Sequence, residues 1–157
     1  MQESSCGYLI KDGMWLMLLR NRKQNDVNKG RWIGVGGKLE PGESMLQCMH
    51  REIFEETGLN ALSLELRGII YFTYTDHDPE KIYVYTCDSF EGNLKECNEG
   101  TLQWIKEEQI LSLHLWDGDR IFLERILEGD HTTFCYQLSY DTEGTLIKAE
   151  EKEIENK

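Results

Sequence analysis

Residues 36–59 read GGKLEPGESMLQCMHREIFEETGL, and this stretch decides how the rest of the chain is read. Ser44 and Gln47 stand three apart, the pattern in which each side chain caps the other's backbone N–H at a helix start. Met45, Met49 and Ile53 repeat every four residues, with Leu46 alongside, and predict a core-facing stripe on a helix over 44–57. Gly58 is a natural terminator, because a glycine adopts the left-handed conformation that closes a helix. On that helix Glu52, Glu55 and Glu56 fall at i, i+3 and i+4, so their carboxylates share one face. Two of them lie in the last turn, where the helix dipole is negative and anions are disfavoured. A divalent cation would convert that repulsion into binding. An all-oxygen ligand set selects a hard ion, magnesium or manganese, over zinc. Gly36, Gly37 and Gly42 permit tight turns ahead of the helix, so a loop carbonyl can join the carboxylates and Lys38 can neutralise a phosphate oxygen. The plain alternative for a bare ExxEE is a solvated helix face.

The spacing across the stretch removes much of that ambiguity. It resembles the Nudix box: glycine, five residues, glutamate, seven residues, then Arg-Glu-apolar-x-Glu-Glu-x-Gly-apolar. Gly37, Glu43, Arg51, Glu52, Ile53, Glu55, Glu56, Gly58 and Leu59 match every fixed position. The resemblance implies a mixed β-sheet sandwiched between helices and hydrolysis of a nucleoside diphosphate linked to a further group. It implies magnesium, replaceable by manganese, held by Glu55, Glu56 and the Gly36 carbonyl. Glu52 then serves as a further ligand or as general base, and the residues leave both roles open. Arg51 and Glu43 read as an ion pair that holds the loop on the helix. Members of the family often take another ligand from a loop after the central strands, and Glu99 occupies that region as either a ligand or an ordinary loop acid.

Outside this stretch the chain predicts an α+β fold of mixed strands and helices. Cys6–Ile10 and Met14–Arg20 read as a hairpin around Asp12-Gly13. Residues 21–29 read as a polar loop and 31–38 as a short strand entering a turn. Residues 63–75 and 81–88 read as antiparallel strands rich in β-branched and aromatic residues, and 101–105 as another short strand. Residues 107–111 and 117–127 read as helical, and 132–138 with 145–149 as a closing hairpin. A single domain over 1–150 and a charged, fraying tail over 151–157, beginning at about Glu150, are the expected organisation.

Composition narrows the partners. The formal charge of −12 disfavours nucleic-acid polymers and anionic membranes, and a site handling phosphate would need cations of its own. No apolar run is long enough to span a bilayer, and the first residues lack the pattern of a signal peptide. Five cysteines without a CxxC pair point away from structural zinc and disulfides and toward a reducing cytoplasm.

The flanks of the box bear on the substrate. Residues 30–38, 99–104 and 115–119 resemble the MutT-type branch, whose bacterial members remove 8-oxo-dGTP from the nucleotide pool. That resemblance implies a small-molecule nucleotide substrate. Trp116 would stack on the purine or pack in the core, Trp32 would pack, and Asp119 would hydrogen-bond the base edge. The NADH branch carries an SQPWPF-like run after the box, absent here. The ADP-ribose branch carries a proline where this chain has Tyr74. The dinucleoside-polyphosphate branch carries a tyrosine near that spacing and is the runner-up. A catalytically silent nucleotide-binding regulator is the alternative from another class, although such proteins usually lose box glutamates that this chain keeps.

Overall fold

The computed structural model describes residues 1–154. One mixed sheet organises the chain. Strands β1 (Gln2–Lys11) and β2 (Met14–Arg20) form the expected hairpin, with Asp12 and Gly13 both at positive φ, the geometry a two-residue hairpin turn requires. Strands β3 (Trp32–Ile33), β4 (Leu59–Tyr74), β5 (Glu80–Gly92), β6 (Gly100–Lys106), β7 (Phe134–Tyr140) and β8 (Leu146–Glu151) complete it. The order across the sheet is β3-β2-β1-β5-β4-β7-β8, with β6 paired to β2. The β1–β5 and β4–β7 pairs are parallel and the rest antiparallel.

Period-two alternation along the hairpin feeds two cores. Tyr8, Trp15 and Met17 enter one; their neighbours Leu9, Leu16 and Leu18 enter the other. Helix α1 (Met45–Thr57) contributes Met49 and Ile53 to the second core, and helix α2 (Asp117–Leu127) contributes Phe122, Leu123 and Ile126 to the first. The sheet is therefore buried on both faces between helices, the expected α/β/α sandwich. Among the described residues no helix is long and apolar enough to cross a membrane, and no disulfide is present.

Helix α1 has the expected cap: Ser44 Oγ accepts from Gln47 N–H at 3.1 Å and the Gln47 side chain accepts from Ser44 N–H at 2.8 Å. Gly58 ends it at φ 80°, and β4 starts at the next residue. One part of the predicted stripe is corrected: Leu46, in the first turn of α1, is 48% exposed although it shares a helix face with the buried Met49 and Ile53, and Cys48 is buried instead.

Other boundaries shift. The strand expected over 31–38 is cut to Trp32–Ile33 and continues only as isolated bridges, Val35 to Gly7 and Lys38 to Ser4, where glycines replace strand-forming residues. Residues Glu107–Ser112 form a short 3₁₀ turn. At the C-terminal end Glu150 and Glu151 pair with Gln137 and Tyr136, so the sheet runs into the segment expected to fray. Residues 155–157 of the expected tail lie outside the described residues.

Candidate active site

A cleft of about 870 Å³ opens along the β1 face of the sheet. Its walls come from β1, the loop 21–31, the loop 34–40, the end of β4 and the first turn of α2. The loop 34–40 lies flat against β1 through backbone hydrogen bonds, Gly7 N–H to Val35 O at 2.6 Å and Ser5 N–H to Gly37 O at 2.9 Å. This approach excludes side chains: a Cβ at Gly36 would fall on the Ser5 carbonyl, and one at Gly37 would come within 2.5 Å of the Glu52 carboxylate.

Acids gather where that loop meets α1. Glu56 accepts from Gly36 N–H at 2.7 Å and is 7% exposed. Burial pushes its pKa up to about 9, and the neighbouring Glu99 adds to the shift. Burial also raises Glu99, but the hydrogen bond from Glu56 and the charges of Arg20 and Lys23 outweigh it and leave Glu99 low. The proton between the two therefore sits on Glu56. Glu52 lines the cleft, and burial raises its pKa against the opposing pull of Arg51. Glu55 is different: more than half exposed, it reaches Arg51 Nη1 at 3.2 Å and does not face the cleft. Among the described residues no three acidic, histidine or cysteine side chains converge at metal-ligand spacing. The set of Glu52, Glu56 and Glu99 with the loop backbone is nonetheless all oxygen, and it brings two carboxylates into mutual contact. That donor chemistry fits magnesium or manganese.

Arg51 organises the acids. It donates to both oxygens of Glu43, to Glu52 at 2.6 Å, and to the Lys38 carbonyl at 3.1 Å. The ion pair expected between Arg51 and Glu43 is thus present, and it extends to Glu52.

Several cations surround the acids. Lys38 lines the cleft. Arg20 and Lys23 also line it, 3.5 Å and 3.3 Å from the Glu99 oxygens, and sequence reasoning passed over both. The signal available for them was the demand for local cations in an acidic chain, which the polar stretch after β2 could have met.

Farther along, Tyr8, Phe72, Tyr74, Trp116 and Asp119 line the same cleft. Cys6 feels both Asp119 and the acids near α1: burial lifts its thiol to about 12, and the charges of Asp119 and Glu56 both add to the rise. Trp116 is only 3% exposed. Arg31 covers its ring at 3.7 Å, and Phe72, Tyr74 and Tyr140 meet it edge-on at 5.3, 5.9 and 4.7 Å. The ring is packed like a core residue and offers little open surface. Asp119 is half-buried in the first turn of α2, its backbone N–H on the Trp116 carbonyl at 3.0 Å. Trp32 is half-buried against the core around Trp116.

A family model described as the NUDIX domain matches residues 4–126. Among curated proteins, an uncharacterized Nudix hydrolase of Bacillus subtilis, YvcI, is 33% identical over 121 residues, covering 72% of this chain and 77% of its own length. The oxidized purine nucleoside triphosphate hydrolase of Mus musculus is 28% identical over 141 residues, 88% of each chain. Among solved structures, the mutator MutT protein of Bacillus halodurans superposes with a TM-score of 0.86 at 26% identity, covering 96% of this chain and 97% of that one.

Proposed function

The chain belongs to the Nudix family of hydrolases, and on that premise we propose that it converts a nucleoside triphosphate to the monophosphate and pyrophosphate. The favoured substrate is an oxidised purine nucleotide such as 8-oxo-dGTP, removed from the nucleotide pool of the cytoplasm. The observation that carries this reading is a single cleft that holds Glu52 and Glu99 together with Trp116 and Asp119. One ligand can therefore meet phosphate chemistry and base recognition at once. The named activity of the mouse relative supports the choice of oxidised purines.

Magnesium, or manganese in its place, fits the oxygen donors of Glu52, Glu56, Glu99 and the Gly36 carbonyl, and Glu55 would have to turn in from the solvent to join them. Bound there, the ion would neutralise phosphate oxygens and acidify a water. The chain's own groups do the rest. Lys38, Arg20 and Lys23 hold the phosphate chain by charge in an otherwise acidic protein. Glu52, fixed by Arg51, is the candidate general base when it is not itself a ligand. Asp119 sets the position of the base, and the buried Trp116 ring backs the wall behind it instead of stacking on the purine. Tyr74 in the cleft keeps dinucleoside polyphosphates as the second reading, because a further ring beside Trp116 suits a second base.

The test is pyrophosphate release with magnesium across 8-oxo-dGTP, dGTP, ADP-ribose and Ap4A. Preferential cleavage of 8-oxo-dGTP is expected. Binding of nucleotides without turnover would sink the catalytic reading in favour of a regulator.

A further inference from the structure

Asn28 is held in a way that fixes which end of its amide faces the cleft. Trp116 Nε1–H donates to Asn28 Oδ1 at 2.7 Å. An indole N–H can only donate, so the amide atom it meets must be the oxygen, and the amide orientation follows from chemistry. The backbone is held as firmly: Asn28 N–H donates to Asp26 Oδ1 at 3.0 Å, and the Asn28 carbonyl accepts from Arg31 N–H at 2.9 Å. Asp26 is itself anchored to Arg20 Nε at 2.7 Å. Nδ2 makes none of these bonds, and Asn28 lines the same cleft as Tyr8, Phe72 and Asp119. The side chain thus presents a fixed pair of N–H donors beside the aromatic group.

We infer that Asn28 is a specificity residue that selects purines carrying a carbonyl oxygen at the 6-position over those carrying an amino group there. The inference rests on the nucleotide reading given above. The exocyclic groups of a base project farthest from its rings and meet the wall first. An oxygen there accepts from Asn28 Nδ2. An amino group faces it donor to donor and leaves both unpaired, and this kind of mismatch discriminates strongly in a site shielded from water. Asp119, in the same cleft, has a carboxyl that accepts when ionised and can donate when protonated, so the donor-only Nδ2 of Asn28 carries the choice between oxygen and amine. Guanine and 8-oxoguanine pass this filter and adenine does not.

The probe pair is dITP and dATP, whose bases differ only at the 6-position and its adjacent ring nitrogen. Asn28→Asp keeps an oxygen for the Trp116 indole and replaces the donors with an acceptor. The ratio of kcat/KM for dITP over dATP should fall by roughly ten- to a hundredfold, chiefly through KM. Trp116→Phe keeps a ring but releases the amide, and the same ratio should fall toward unity. A purely structural role for Asn28 would lower both rates together. Asn28→Ala removes the donors outright and stands in if Asn28→Asp does not fold. An unchanged ratio in a folded Asn28 variant overturns the inference while leaving the hydrolase reading intact. If the wild type turns over no nucleotide, the hydrolase reading fails. Equilibrium binding of dIMP against dAMP, read by tryptophan fluorescence, then decides the inference: equal affinities overturn it, and a dIMP preference lost in the variant upholds it.

Discussion

Arg51 holds Glu43 with two parallel hydrogen bonds, Nη2 to Oε1 at 2.6 Å and Nε to Oε2 at 3.0 Å, while its Nη1 holds Glu52 at 2.6 Å. A planar fork can grip one acid with two parallel bonds while reaching the other; the compact ammonium of lysine has no such spread of donors. Arg51→Lys should therefore leave Glu52 poorly placed and lower turnover by about tenfold, close to 1.4 kcal/mol in barrier. Helical circular dichroism should be unchanged. Turnover at the wild-type level would show that Glu52 needs no such positioning.

The same pair carries a pH signature. The hydrogen bond from Arg51 holds Glu43 down at about 2, below its ordinary 4.5. A depressed folded pKa stabilises above the unfolded value and is lost as pH falls through the folded one. The stability difference between wild type and Glu43→Gln should be full above pH 4.5 and shrink toward pH 2, as read by thermal melts across that window. A difference independent of pH would mean that the pair contributes nothing through charge.

Gly36 and Gly37 should fail differently when changed to alanine. At Gly36 the new methyl meets the Ser5 backbone in β1, which cannot yield without distorting the sheet. That overpacking costs roughly 1–3 kcal/mol of stability. At Gly37 it meets the flexible end of Glu52 at 2.5 Å, which can swing aside. Gly37→Ala should keep its Tm within a few degrees and lose activity instead. Equal losses of stability in the two variants would refute the distinction.

Where the sequence was legible, one local rule acted without competition. Asp12-Gly13 set the hairpin, and Ser44, Gln47 and Gly58 set both ends of α1. The nine-position spacing located the acids on α1, and the structure places Glu52 and Glu56 beside Gly37 and Gly36. The misreadings share a cause. Leu46 shares a helix face with the buried Met49 and Ile53, but how far along the helix that face is covered is decided by packing in three dimensions. Glu55 shares a face with Glu52 in projection, yet it pairs with Arg51, stays more than half exposed and does not reach the cleft. Arg20, Lys23 and Asn28 sit at the end of a strand and in a loop with no periodicity, and only the fold brings them to the cleft.

Glu99 tests the ligand set. It reaches Glu56 from the loop ahead of β6 and is balanced by Arg20 and Lys23. EDTA should abolish activity, and magnesium or manganese should restore it. Glu99→Gln should lower turnover by roughly tenfold, about 1.4 kcal/mol, and raise the magnesium concentration needed for half activity. Full activity in metal-free buffer would sink the metal assignment. Wild-type rates in the variant would reduce Glu99 to a loop acid.

Asp119 joins stability to selectivity. Burial raises its pKa from 3.8 to about 7, against the opposing charge of Arg31. A raised folded pKa means that stability is fully present below the unfolded value and is lost as pH climbs through the folded one. The fold should thus lose stability between pH 3.8 and about 7 on account of this group. At about 1.4 kcal/mol per pH unit, the penalty at pH 8 is on the order of 2–4 kcal/mol. Asp119→Asn removes the charge, so the variant should melt above the wild type at pH 8, and the gap should close near pH 4. A gap of constant size would show that its ionisation is not penalised by burial. The carboxyl that carries this penalty also faces the cleft, where a buried polar group left without its partner discriminates between bases. Asp119→Ala should then reduce the kcat/KM preference for 8-oxo-dGTP over dGTP by about ten- to a hundredfold, while activation by magnesium persists. An unchanged preference would place the reading of the oxidised base on other groups, leaving Asp119 as an acid favoured by the N-terminal dipole of α2.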